Sequence, residues 1–205
     1  MKLDSLVRLK KLNKGFTVVE LLVVVSVIVI LAAIVLVVYP SYLTSTQDNA
    51  RKSDIQQIAS ALSAYALKNN SFVDANSTDG SGNHCGFLGA GNGWFNAGPD
   101  AFFPASILTC LKNAGVLKKD IIDPTGCTSD APSGCSVSGA TTAYMKATCT
   151  KGGNPVTYVI ARLVGQPRRD TEVDGLCDSG TVSGFSAASQ KWGTNYGMNY
   201  YVTVR

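Results

Sequence analysis

The chain has 205 residues, 45% hydrophobic and 16% charged, with a formal net charge of +4. That is the size of one domain, or of a small domain with an anchor, and the apolar content excludes a disordered chain. Charge is unevenly placed. Lys2, Arg8, Lys10, Lys11 and Lys14 face only Asp4 in the first fifteen positions, and from Phe16 onward basic and acidic residues balance at 13 each. Bulk positive charge therefore does not mark the body as a nucleic-acid binder, and nucleic acid is not the expected main ligand.

From Leu21 to Tyr39 the chain runs through nineteen residues with one serine and no charge. A bilayer core of about 30 Å needs roughly 20 apolar residues as helix, so this run predicts a membrane span. The core helix of a soluble protein is the alternative, but it is usually shorter or shows a polar face. The basic leader places residues 1–15 in the cytoplasm and the remainder outside, in a single pass. A cleaved secretory signal would have a shorter apolar core, roughly 7–15 residues, followed by a small-residue exit site. Here Ala32-Ala33 lie inside the run with five aliphatic residues after them, so retention of the anchor is expected. Glu20, one position before the long run, is the anomaly. Either it rests at the headgroup level, or a carboxylate at the edge of hydrocarbon requires a cationic partner.

The segment Lys14-Gly15-Phe16-Thr17-Val18-Val19-Glu20-Leu21-Leu22 and the apolar run behind it resemble the N-terminus of type IV pilins and pseudopilins. The matching features are a short basic leader, Gly15, then Phe16, and Glu20 five places into what would be the mature chain. The resemblance covers about the first 55 residues. It implies a prepilin peptidase cutting between Gly15 and Phe16, N-methylation of Phe16, and Glu20 meeting the N-terminus of a neighbouring copy during assembly. It further implies self-association into a filament, homopolymeric or mixed, extruded by pilus or secretion machinery in the cytoplasmic membrane. Membrane lipid would hold the subunit beforehand, and the filament would be extracellular or periplasmic. One departure is visible: many relatives carry proline at the position of Val37, whereas this chain has Pro40, where a bend is expected.

Beyond Pro40, Ile55, Ile58, Ala59, Leu62, Tyr65 and Ala66 recur at three- and four-residue spacing, which predicts an amphipathic helix ending near Lys68–Asn70. Continuous helix from Thr17 to about Lys68 would be roughly 75–80 Å long at about 1.5 Å per residue. Asn70 to about Ala140 reads as loop-rich, with a short helix from Pro104 to Asn113 stopped by Gly115. Ala143–Thr150 and Val156–Val164, divided by Gly152-Gly153-Asn154-Pro155, and Met198–Arg205 read as strands. The expected fold is therefore α+β, one long helix on a small antiparallel sheet of about three strands. Its parts would be a leader (1–15), a transmembrane assembly helix (16–39), an amphipathic second half (40–69) and an extracytoplasmic head (70–205).

Cys85, Cys110, Cys127, Cys135, Cys149 and Cys177 would all lie outside the membrane, where an even number suggests disulfides. Six cysteines allow fifteen complete pairings. Cys127–Cys135 is an easy local loop, and Cys149 with Cys177 and Cys85 with Cys110 are further candidates. A metal cluster is the rival, but no closely spaced cysteine pair is present. His84 is the only histidine and reads as a loop residue, and Gly89-Ala90-Gly91-Asn92-Gly93 lacks the Lys-Ser/Thr of a phosphate loop. Asp170-Thr171-Glu172-Val173-Asp174-Gly175, with Asp178 beyond, begins like a calcium loop but carries Thr181 at its twelfth position. It is a solvated acidic loop or, as in some pseudopilins, a calcium site. Arg168-Arg169 with Trp192, Tyr196, Tyr200 and Tyr201 could contact DNA or a surface, though strand packing explains the tyrosines. No catalytic residue, metal or cofactor is expected. The leading function is a structural subunit of a type IV pilus-like filament serving adhesion, motility or DNA uptake. The alternatives are a pseudopilin of a type II secretion-like system and a membrane-anchored extracytoplasmic binding domain.

Overall fold

A computed structural model describes residues 15–74, 77–86, 93–95, 105–126, 136–137, 140–141, 144–178, 181–182, 185–186 and 191–204. The leader residues 1–14, Gly89–Asn92, Pro104, Cys127 and Cys135 lie outside these. The chain divides into two units, Met1–Tyr42 and Leu43–Arg205.

Helix α1 (Val18–Asn69) has 52 residues, and Pro40 sits inside it without ending it. Its first part is rich in valine and isoleucine, which are only moderate helix formers in water. Away from water every backbone group must bond within its own segment, which makes helix the default for such a run. The second part follows a heptad-like rhythm, burying Asp48, Arg51, Ile55, Ile58, Leu62 and Tyr65. Asn70 takes a left-handed conformation (φ 52°) just past the last turn, the usual way for a helix to stop.

In the second unit the sheet has four strands in the order β1 (Gly93–Phe95), β4 (Tyr144–Lys151), β5 (Asn154–Ala161) and β8 (Tyr200–Val204), all antiparallel. Two-residue ladders join β2 (Ser136–Val137) to β3 (Ala140–Thr141), and β6 (Thr181–Val182) to β7 (Phe185–Ser186). The three strands read from the sequence are present, and β1 adds a short edge from the loop-rich stretch. The β4–β5 turn uses only Gly152 and Gly153, both at positive φ, so Asn154 and Pro155 become strand residues opposite Lys151 and Thr150. Pro155 is tolerated because β8 pairs only from Thr157 onward. At the other end β5 stops at Ala161 rather than Val164, because the Asn199 side chain takes the Leu163 N–H (2.8 Å) and donates to its carbonyl (3.0 Å). The short helix α2 (Ile107–Asn113) begins three residues later than Pro104, since the Ser106 hydroxyl caps it by accepting from Thr109 N–H at 3.0 Å.

Strand alternation sends side chains to two cores. Tyr144, Val159, Ala161 and Val204 pack with α1 residues from Ile55 to Tyr65, with α2 and with Val73. On the other face Met145, Ala147, Tyr158 and Ile160 pack with Val173, Leu176, Trp192 and Met198. That second layer carries the short helices α3 (Asp170–Asp174) and α4 (Trp192–Tyr196). Gly193 is required there, because a Cβ would lie 2.5 Å from Asp170 Cα. The Cys85–Cys110 disulfide lies within the first core and Cys149–Cys177 within the second.

A buried ion network ties α1 to the loops. Arg51 donates from Nε to Asp123 at 2.6 Å and from Nη1 to Asp48 at 2.9 Å, and it is fully buried. Asp48 also accepts the Val164 and Gly165 N–H groups, each at 2.8 Å. Removing one member leaves charge buried without compensation, which typically costs about 3–5 kcal/mol. Arg51→Ala is therefore expected to destabilise the head by that amount in denaturant titrations of the full-length protein followed through buried Trp192. Lys112→Ala, which breaks the exposed pair with Asp120, should cost less than about 1 kcal/mol.

Candidate functional site: the N-terminus of the long helix

Gly15, Phe16 and Thr17 precede α1, and nothing lies within 4 Å of where a Gly15 Cβ would stand. Gly15 is thus accessible, and its smallness is not dictated by packing in this unit. Thr17 and Glu20 form a reciprocal cap. The Thr17 hydroxyl accepts from Glu20 N–H at 3.2 Å, while the Glu20 carboxylate accepts from Thr17 N–H at 2.9 Å and from the Thr17 hydroxyl at 2.8 Å. Two otherwise orphaned helix-start donors are satisfied, and the negative charge sits at the positive end of the helix dipole. The sequence reading of Glu20 missed this role, although Thr17-Val18-Val19-Glu20 carries the S/T-x-x-E signature directly before an apolar run.

Behind the cap, the first part of α1 is uncovered. Phe16 is 80% exposed, and the large aliphatic residues from Val18 to Val38 are all exposed. Ser26, the one polar residue of the run, donates its hydroxyl to the Val23 carbonyl at 2.8 Å, so it presents no unsatisfied donor. α1 contains a stretch long and apolar enough to cross a membrane, none of it buried within the chain. Exposed apolar surface of this extent marks a membrane or protein contact.

The head's chemistry-bearing residues are engaged elsewhere. Cys85 is in a disulfide, so it offers His84 no thiol partner. The acids of the proposed calcium loop serve separate neighbours: Asp170 pairs with Arg168, Glu172 with Arg169, and Asp174 caps Gly193 N–H at 2.7 Å. Asp178 pairs with Lys151 at 2.6 Å and accepts Gly152 N–H at 2.8 Å, and these bonds hold its carboxyl below the usual range. Residues 170–174 are helical rather than a ligand loop, and among the described residues no three of His, Cys, Asp or Glu gather as a metal-holding group. Arg168 also donates to the carbonyls of Gly193 and Thr194, Trp192 is fully buried, and Tyr201 packs edge-on against Tyr158. Trp192, with Tyr196 and Tyr201 against it, belongs to the second core, and Tyr200 packs against the first. An open groove of about 720 Å³ beside α1 is flanked by Ser53, Gln57, Ser60, Lys118 and Lys119; the Ser60 hydroxyl donates to the Gln56 carbonyl at 2.9 Å, and the Ser53 hydroxyl accepts from Gln57 at 3.2 Å.

The family model described as the prokaryotic N-terminal methylation motif matches residues 10–36, which hold the cap and most of the apolar run. This N-terminus is of the type IV pilin kind. The chain is similar to the type IV major fimbrial protein FimA of Dichelobacter nodosus, with 39% identity over 59 residues. That match spans 29% of this chain and 38% of that protein. No solved structure matches the chain. The pilin-type N-terminus and an α+β head occur in one polypeptide.

The cap makes a local prediction independent of assembly. Thr17→Val keeps the side-chain shape but removes the acceptor, and loss of an N-cap typically costs about 1 kcal/mol of helix stability. In detergent micelles the Glu20 amide should exchange about fivefold faster in Thr17→Val, while amides beyond Val25 stay unchanged by NMR.

Proposed function

We propose that the protein is a structural subunit of a type IV pilus-like filament, not an enzyme. The observation carrying this reading is the uncovered apolar part of α1 placed directly behind Gly15, Phe16 and the capped Glu20. A retained span of this kind has two ways to leave water: lipid before assembly and other copies of the chain afterwards. Head-to-tail repetition that does not close produces a helical filament. The same subunit chemistry serves a surface pilus or a shorter secretion pseudopilus.

In this reading residues 1–15 are a cytoplasmic leader and a membrane-embedded prepilin peptidase cuts between Gly15 and Phe16. Residues 16–39 hold the subunit in the cytoplasmic membrane in a single pass, and residues 40–205 stand outside. Cutting converts the Phe16 amide nitrogen into a terminal amine, which becomes N-methylated and carries a positive charge. That charge has no counter-ion in its own apolar helix except Glu20, whose carboxylate already reaches back to Thr17. A docking neighbour can supply the carboxylate instead, and burial of such a pair rewards only the register that aligns them. The Thr17–Glu20 cap keeps the acid satisfied until that exchange. FimA of Dichelobacter nodosus, described as a major fimbrial protein, supports the filament reading through its shared segment.

Mass spectrometry of protein from the native cell should find a chain beginning at methylated Phe16. A start at Met1, or trimming beyond Tyr39, would overturn the proposal. Gly15→Leu should accumulate the uncut precursor, visible as a larger band on gels. Glu20→Ala should leave processing and membrane insertion intact while sheared filament yield falls at least tenfold; normal yield would remove the docking role.

A further inference from the structure

The tripeptide Asn-x-Ser/Thr, with x other than proline, occurs twice in the sequence, at Asn69-Asn70-Ser71 and Asn76-Ser77-Thr78. It is the acceptor pattern for N-linked glycans, and it can serve only where the amide and the hydroxyl stand at the surface. Asn76 lies outside the described residues. Asn69 does not, and its surroundings meet that requirement.

Asn69 is the last residue of α1, and Lys68, Asn69, Asn70 and Ser71 are all exposed. The left-handed conformation of Asn70 (φ 52°) turns the chain off the helix there. Asn69 Nδ2 donates to the Tyr65 carbonyl at 2.9 Å. An amide nitrogen carries two hydrogens, so one N–H remains without a partner among the described residues. The Ser71 hydroxyl bonds within the same surface turn, to the Phe72 carbonyl at 3.0 Å and to Asp74 at 2.8 Å. Other asparagines at the surface lack the pattern and spend their amides on the fold: Asn83 on the Asp79 carboxylate at 3.0 Å, Asn113 on the Asp79 carbonyl, Asn154 on the Gly152 carbonyl at 3.3 Å.

We propose that Asn69 is a glycosylation site, taking an oligosaccharide from a lipid-linked glycosyl diphosphate by the action of a membrane-bound transferase. This inference rests on the reading above that residues 40–205 stand outside the cytoplasmic membrane. In the transfer, Asn69 Nδ2 attacks the anomeric carbon of the first sugar. The new C–N bond forms as the bond from that carbon to the diphosphate oxygen breaks. The diphosphate leaves with the electron pair, and one amide proton passes to a base of the transferase. The substituted amide keeps its other N–H, so the bond to Tyr65 can persist in the product. Transfer as the chain emerges, before Ser71 turns to Asp74, leaves the hydroxyl open to the transferase and lets the turn close afterwards. No buried side chain has to move to admit the sugar, because the residues around the attachment point face water.

The test is mass spectrometry of digested full-length protein from the native cell. The peptide spanning Asn69 should carry a glycan mass, located on Asn69 by fragmentation. Peptide-N-glycosidase in water enriched in heavy oxygen should release it and leave a labelled aspartate at that position. The added mass at this position should vanish in Asn69→Gln and Ser71→Ala and be retained in Ser71→Thr. A bare Asn69 in the wild type, or a glycan found only at Asn76, would overturn the proposal; should the variants fail to fold, the wild-type digest decides alone. The same digest reports the N-terminal peptide. A chain beginning at methylated Phe16 with Asn69 bare refutes glycosylation and leaves the filament reading standing, whereas a start at Met1 counts against that reading itself.

Discussion

The structure depends on one constraint: an apolar helical stretch that is left exposed among the described residues. The aliphatic residues from Val18 to Val38 are exposed, and no rearrangement of side chains within the stretch can hide them, because every face of it is apolar. Exposed apolar surface of this extent favours apolar surroundings. The hydrophobic effect is non-directional, so lipid tails and the same helices of other copies are both acceptable. Direction must come from polar groups, and the stretch supplies few: the Thr17–Glu20 cap at its start and Ser26, which is satisfied within the helix.

The head solves the opposite problem. It holds the second part of α1 in register through a few polar contacts inside two apolar cores. Arg51 between Asp48 and Asp123 is costly to desolvate but specific, since only one placement of the helix satisfies all three charges and the Val164 and Gly165 N–H groups together. Asn199 does similar work without charge, joining the end of β5 to the chain that leads toward α3. With the Cys85–Cys110 and Cys149–Cys177 disulfides added, a glycine-rich head keeps one arrangement despite a modest core. Lys146 is a second buried cationic side chain, donating to the Val73 carbonyl and the Thr148 hydroxyl.

Much of this was legible beforehand. The long helix, its apolar and amphipathic parts and its end near Asn69 follow from composition and three-to-four spacing, which are local properties. The main strands were readable from β-branched runs and the paired glycines. Their ends were not, because Asn154 and Pro155 look like turn residues until the Gly152-Gly153 turn is known to be complete in itself. β1 was hidden because three residues carry too little pattern to stand out from a loop. The acids from Asp170 to Asp178 read as a solvated acidic loop that begins like a calcium site, because sequence shows only proximity along the chain; in space they turn to Arg168, Arg169, Gly193 and Lys151.

The sequence by itself determined that the chain has a membrane-compatible helix whose start carries the N-terminal methylation motif, since length, apolarity and fixed spacing need no partners to be read. Tertiary structure alone decided which distant groups share a buried site: Arg51 with Asp123, Lys146 with Val73, Gly193 against Asp170. Those pairings lie from 23 to 73 positions apart. They are set by which strand faces and helix turns meet when the cores close, and that is information no local pattern contains.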